Sequence, residues 1–133
     1  MESCTPTLFS LTGTTSYQTG LIGEYTVADL MRDRGFRVLA HRARTKWGEI
    51  DLVMRRGDLV VFAEVKTARP TRLFPALAVG HRSQQRLRRA AIAWMATNAA
   101  LHRGARRYRF DVMIVRCESN GDVTGIEHVR NAF

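Results

Sequence analysis

The chain has 133 residues, room for one domain with one modest core. Its 45% hydrophobic and 25% charged residues exclude a disordered or fibrous chain, and no apolar run approaches the roughly 20 residues of a membrane span. The net charge of +9 asks for a polyanionic partner, either nucleic acid or an anionic membrane surface.

Every basic residue except Lys46 and Lys66 is Arg, which reads phosphate bidentately and favours nucleic acid. A general preference for Arg over Lys accounts for much of that ratio. It does not account for the excess of positive charge, and it makes Lys66 more informative. Cys4 and Cys117 are the only cysteines, so a disulfide framework is excluded and the cytoplasm is the default compartment. His41, His81, His102 and His128 show no metal-ligand spacing and read as surface or packing residues.

Residues 1–19 are rich in Thr and Ser, lack periodicity and read as a disordered extension; residues 20–133 read as one domain. Only the amino terminus is basic before the short apolar patch 8–11, a poor fit to a secretory signal. Residues 20–35 read as a first helix ending on Gly35, a C′ glycine. Val27, Ala28, Leu30 and Met31 form its apolar stripe. Glu24 shares that inward face by its spacing to Val27, Ala28 and Met31. A buried carboxylate needs a partner; alternatively Glu24 sits near solvent, stabilised by the helix dipole.

Residues 36–41 read as a strand, followed by a basic loop from Arg42 to Trp47 that includes Arg44 and Lys46. Such a loop can guide a phosphate backbone. Trp47 either stacks on a base or packs under the loop.

Residues 49–55 and 59–66 read as a hairpin turned by Gly57-Asp58. Side chains alternate along a strand, so Glu49 and Asp51 share a face, as do Glu64 and Lys66. If Arg56 pairs with Leu59, Asp51 falls opposite Glu64 and Glu49 opposite Lys66, all on one face. Opposed carboxylates repel. A divalent cation such as Mg²⁺, usually held by one or two carboxylates plus water and phosphate oxygens, removes the conflict. The competing reading is a solvated face with a Glu49–Lys66 ion pair.

After the hairpin, residues 67–75 contain two prolines and read as a flap. Residues 81–101 read as a second helix with Leu87, Ala90, Ala91, Trp94 and Leu101 inward. Arg82, Arg86 and Arg89 recur on another face, either tracking phosphates or simply solvated. Residues 108–115 and 125–129 read as strands, with a turn at Asn120-Gly121. The order is helix, three strands, helix, two strands.

Asp51, a turn and Glu64-Val65-Lys66 together resemble the D…ExK signature of the restriction-endonuclease-like, PD-(D/E)xK nuclease fold. Gly23-Glu24, Gly48-Glu49-Ile50-Asp51, the run from Val61 to Lys66, Arg109-Phe110-Asp111 and Asn131-Ala132-Phe133 are similar, in order and spacing, to the YraN family of uncharacterised bacterial proteins. That resemblance covers residues 20–133. It implies an α/β fold with a restriction-endonuclease-like αβββαβ core, a mixed central sheet flanked by helices. It also implies a Mg²⁺- or Mn²⁺-dependent nuclease on DNA, acting on branched or damaged structures.

By the same resemblance Asp51 and Glu64 hold the metal, Lys66 orients the attacking water, Glu24 joins them from the first helix, and Glu49 adds to the outer shell. Arg44, Lys46, Arg82, Arg86 and Arg89 are the expected nucleic-acid contacts. Resolvase-like members of the fold act as homodimers. One departure stands out: the family usually has Lys just before the Gln at position 84, and this chain has Ser83, with Gln84 or Gln85 as partial substitutes. That departure favours the alternative, a non-catalytic nucleic-acid-binding module. A third reading is a scaffold for a protein partner, with the acidic cluster kept as a salt-bridge network.

Overall fold

The computed structural model describes residues 16–68, 79–118, 120 and 122–133. The elements run α1 (Ser16–Asp33), β1 (Arg37–Thr45), β2 (Gly48–Arg56), β3 (Leu59–Ala68), α2 (His81–Thr97), a 3₁₀ turn (Ala99–His102), β4 (Arg107–Cys117) and β5 (Val123–Val129). The five strands form one sheet in the order β1-β2-β3-β4-β5. Only β3 and β4 are parallel, and α2 lies in the connection between them. This is the expected αβββαβ order in a mixed sheet, extended by β5. No helix among the described residues is long and apolar enough to cross a membrane.

Each face of the sheet is covered by one helix. On one, Val27, Ala28 and Met31 of α1 pack with Leu52, Met54, Val61 and Ala63. On the other, Leu87, Ala90, Ala91 and Trp94 of α2 pack with Ile50, Val53, Val60 and Phe62. The alternation Val60, Val61, Phe62, Ala63 therefore serves both layers, which is why β3 reads as a continuous apolar run.

α1 closes as expected on Gly35. With φ at +88, Gly35 donates to the Arg32 carbonyl and Phe36 to that of Met31, a paired arrangement that satisfies the last orphan carbonyls. Its start is earlier than expected: residues 16–19 are helical. Residues 1–15, most of the expected flap and Gly121 lie outside the described residues.

Two boundaries differ in an informative way. β1 continues to Thr45, so most of the expected basic loop is strand. A register shift between Val38 and Ala40 and a positive φ at Arg42 break the period-two signal there. α2 stops at Thr97, where Asn98 turns its side-chain amide back onto the Trp94 carbonyl. Leu101 accordingly lies on the 3₁₀ turn and is exposed, not part of the inward face.

The C-terminus is tied to β4. The Ala132 amide donates to the Phe110 carbonyl, and Phe133 stacks on Phe110 at 5.2 Å. Beside them Asp111 is fully buried. It accepts two hydrogen bonds from Arg109 at 2.8 Å and one from the Asn131 amide at 2.9 Å, and His128 Nε2 lies 2.6 Å away. Burial pushes the Asp111 carboxyl upward, but the bonds to His128 and Arg109 outweigh that and hold it below the usual range. The motif residues 109–111 and 131–133 thus form a structural clasp.

Candidate functional site

The β2–β3 hairpin has the register that the two-residue turn dictates. Arg56 pairs with Leu59, and the ladder continues to Leu52 opposite Ala63. There it stops. Asp51 and Glu64 are in phase but unpaired; instead, Asp51 Oδ2 accepts the Val65 amide at 2.8 Å. Strand amides lie in the plane of the sheet, so this bond draws the Asp51 carboxylate into the gap where β2 and β3 part.

β2 also reverses its faces at this point. Ile50 packs with the α2 layer, yet Leu52, two residues on, packs with the α1 layer. On the other side, neither Arg42 nor Asp51 enters the β1–β2 register, and Arg42 has φ +50. Simple alternation fails here, and with it the expectation of four charged residues on one face. Glu64 lies between Ala63 and Val65, which pack toward α1, so it points toward α2. Lys66 Nζ is 3.3 Å from Glu64. Glu49 turns aside to Arg44 at 3.2 Å and makes no pair with Lys66 among the described contacts.

Burial and then the Glu64 charge raise the Asp51 carboxyl to about 7; the Glu24 charge adds to this, and the Val65 bond and Lys66 work against it. A carboxyl so placed takes up a proton near neutrality, and a nearby cation would favour its ionised form.

Glu24 is buried, as its spacing predicted, and its partners are now identified. His41 Nε2 lies 2.6 Å from Oε1, and Arg42 Nε and Nη2 donate at 2.9 and 3.1 Å. Gly23 permits this close docking of α1: a Cβ there would sit 2.9 Å from Thr67 Oγ1 on β3. His41, read from sequence as a surface or packing residue, is a partner of the buried Glu24.

From α2, Arg86 reaches inward. Its Nη1 donates to the carbonyls of Glu49 at 3.2 Å and Trp47 at 3.4 Å, and Nη2 lies 3.9 Å from Glu64. Gly48 leaves room for it, since a Cβ at that position would meet Arg86 Nη1 at 2.7 Å. Neither expected substitute for the missing Lys is available without rearrangement. Gln84 binds the Val79 carbonyl, Gln85 binds His81, and Ser83 is exposed. Arg86, one turn beyond Ser83, is the cation that α2 does bring to Glu64. Of the other expected contacts, Arg44, Arg82 and Arg89 are exposed, and Lys46 and Arg89 lie over the Trp47 ring at 5.5 and 5.0 Å.

Asp51 and Glu64 together offer a hard-oxygen donor set. Among the described residues no three His, Cys, Asp or Glu side chains group as a metal-holding set. Two carboxylates alone would leave most of a cation's shell to water and other oxygens, as Mg²⁺ sites commonly do.

The model of uncharacterised protein family UPF0102 matches residues 23–115, from the glycine before Glu24 into β4. A UPF0102 protein of Mesorhizobium japonicum is 45% identical over 101 residues, covering 75% of this chain and 78% of its own. One from Trichlorobacter lovleyi is 38% identical over 125 residues, covering 92% and 95%. One from Syntrophus aciditrophicus is 35% identical over 121 residues, covering 90% and 91%.

Proposed function

The chain belongs to the UPF0102, or YraN, family, and from that premise we propose that it is a divalent-metal-dependent nuclease acting on DNA in the cytoplasm, with branched or damaged structures as substrates. The observation that carries this reading is the seating of Asp51 on the Val65 amide, beside the Glu64 charge that helps raise its pKa to about 7. A half-buried carboxyl destabilised by burial and then by a neighbouring charge is a functional-site signal, and here it occurs within a sequence pattern that resembles a nuclease.

In this reading Asp51 and Glu64 hold Mg²⁺ or Mn²⁺. The ion, when bound, polarises the scissile phosphate and lowers the pKa of coordinated water. Lys66, 3.3 Å from Glu64, would orient the attacking water and balance developing negative charge. Arg86 adds a second fixed cation from α2. Glu24 acts at one remove: it holds His41 and Arg42 beside the cleft and keeps a negative field on Asp51. Glu49, occupied by Arg44, has at most an outer role. The exposed arginines Arg44, Arg82 and Arg89, with Lys46, engage phosphates.

Ser83 favours a second reading, a non-catalytic DNA-binding module with the same surface. Cleavage of linear and branched DNA, measured with Mn²⁺ and with EDTA for the wild type and Asp51→Asn, separates the two. The nuclease reading requires metal-dependent cleavage that the variant loses. Salt-sensitive binding without cleavage under any metal would leave the module.

A further inference from the structure

A groove of about 660 Å³ lies between the β1–β2 turn and the outer side of α2. Its floor is apolar and comes from two separate elements. Trp47 is 38% exposed on the turn, and Ile92 is 64% exposed on the helix beside Ala96. Ile92, Ala93 and Ala96 share one side of α2, with Arg89 one turn before Ile92, so α2 presents a small second apolar strip besides the one it buries. Three cations, Arg44, Lys46 and Arg89, line the same groove, and no carboxylate does among the described residues. Among the described residues Arg44 alone of the three has an ion pair, to the half-exposed Glu49.

An aromatic ring with an aliphatic wall and a rim of positive charge matches one kind of occupant: a flat π-system attached to a phosphate. We propose that this groove takes an unpaired base of single-stranded DNA, bounded by Ile92 and stacked on Trp47 in place of one of the two cations, Lys46 and Arg89, that lie over its ring at 5.5 and 5.0 Å, with the flanking phosphates drawing those cations aside. The assignment rests on the nucleic-acid reading above and deepens it. The groove adjoins the candidate centre through Arg86, whose guanidinium bonds the carbonyls of both Trp47 and Glu49 and faces Glu64. Arg89 follows three residues later, about 4.5 Å along the helix. A strand with one phosphate at the Asp51–Glu64 gap therefore leaves a neighbouring nucleotide at Trp47. A paired base is hidden in its duplex and cannot stack there, so the substrate must carry a single-stranded flank or a displaced nucleotide next to the scissile bond.

The test is equilibrium binding of labelled 12-mers: single-stranded DNA, its RNA counterpart, an abasic strand with the same number of phosphates, and a duplex. Stacking of one base is expected to give the intact strand roughly 5- to 150-fold tighter binding than the abasic one. Trp47→Ala should erase that ratio without changing duplex affinity, and Trp47→Phe should keep most of it. Equal affinity of the wild type for intact and abasic strands overturns the proposal, and needs no variant to fold. An RNA strand bound more than about tenfold tighter than DNA overturns the assignment to DNA. If the wild type binds no nucleic acid at all, the functional reading falls with it; if it binds the duplex and abasic strand as well as the intact one, only the base site falls.

Discussion

The Asp51 carboxylate takes the Val65 amide at 2.8 Å, replacing the backbone carbonyl that a continued ladder would have supplied. One hydrogen bond thus ends the β2–β3 pairing, satisfies a strand amide, and fixes a half-buried acid beside Glu64. The same contact explains why the strands can part here without an orphaned donor. The local architecture of the gap is a consequence of its chemistry.

The clasp around Asp111 provides a stability prediction independent of any function. Asp111→Ala leaves Arg109 and the buried His128 without their carboxylate. Breaking one partner of such a network costs about 3–5 kcal/mol, read as a lower urea midpoint with an unchanged slope. The sign with pH follows from the depressed pKa. Stability from this group is present above the ordinary Asp value and is lost as pH falls through the lower folded value. The wild type should therefore lose stability in acid more steeply than the variant.

Gly48 offers a second test. Its φ of +108 disfavours any side chain, and a Cβ would collide with Arg86. Gly48→Ala should cost about 1–3 kcal/mol and displace the Arg86 guanidinium from Glu64. Arg86→Ala should remove the same contact to Glu64 without the backbone strain. A melting temperature for Gly48→Ala equal to that of Arg86→Ala would show that the collision with Arg86, not the backbone, dominates.

The salt dependence of DNA binding should divide the arginines of α2. Arg82 and Arg89 are exposed and available to phosphate, and each contact contributes about −0.9 to the slope of log affinity against log salt on duplex. Changing both to Ala should flatten the slope by up to about two such increments. Arg86 is spent on Glu49, Trp47 and Glu64, so Arg86→Ala should lower thermal stability as well. A double variant with the wild-type slope would mark that face as merely solvated.

These tests also mark where the sequence was legible. The hairpin register was readable because a two-residue Gly57-Asp58 turn permits only one pairing, and it places Arg56 opposite Leu59 as expected. The burial of Glu24 was readable from its spacing to Val27 and Met31. Its partners were not, because His41 and Arg42 reach it only through the irregular backbone of β1. The reversal of β2 at Asp51 was hidden for a related reason: Ile50 and Leu52 are both apolar, so either face fits the pattern. The clasp escaped because residues 111 and 128 meet only once β5 pairs with β4. A buried Asp between apolar residues on a strand was its one available signal. Arg86 was read as part of a surface stripe; Gly48, which makes space for it, was the clue in the sequence.

Asp51→Asn tests the proposed centre most directly, because charge and shape separate. In the folded protein the Asp51 carboxyl is raised to about 7, by burial first and by the Glu64 charge second, from an ordinary value of 3.8. Between those values the folded state binds a proton that the unfolded chain releases. Stability from this group is therefore complete below the ordinary value and is lost as pH rises through about 7. In EDTA the wild type should be less stable, and so melt lower, at about pH 8 than at about pH 5.5, the loss reaching up to a few kcal/mol of unfolding free energy. Asparagine does not titrate, so the variant should show a flatter profile and melt at or above the wild type at about pH 8. A divalent cation reverses the ranking. Mn²⁺ requires the deprotonated acid, so its stabilising effect on the wild type should grow across the same pH range and be small in the variant. A structural salt-bridge network predicts the opposite order in EDTA, since removing one member leaves another uncompensated. If the variant melts lower than the wild type in EDTA at about pH 8, and Mn²⁺ shifts neither protein, Asp51 is a structural residue and the nuclease reading is lost.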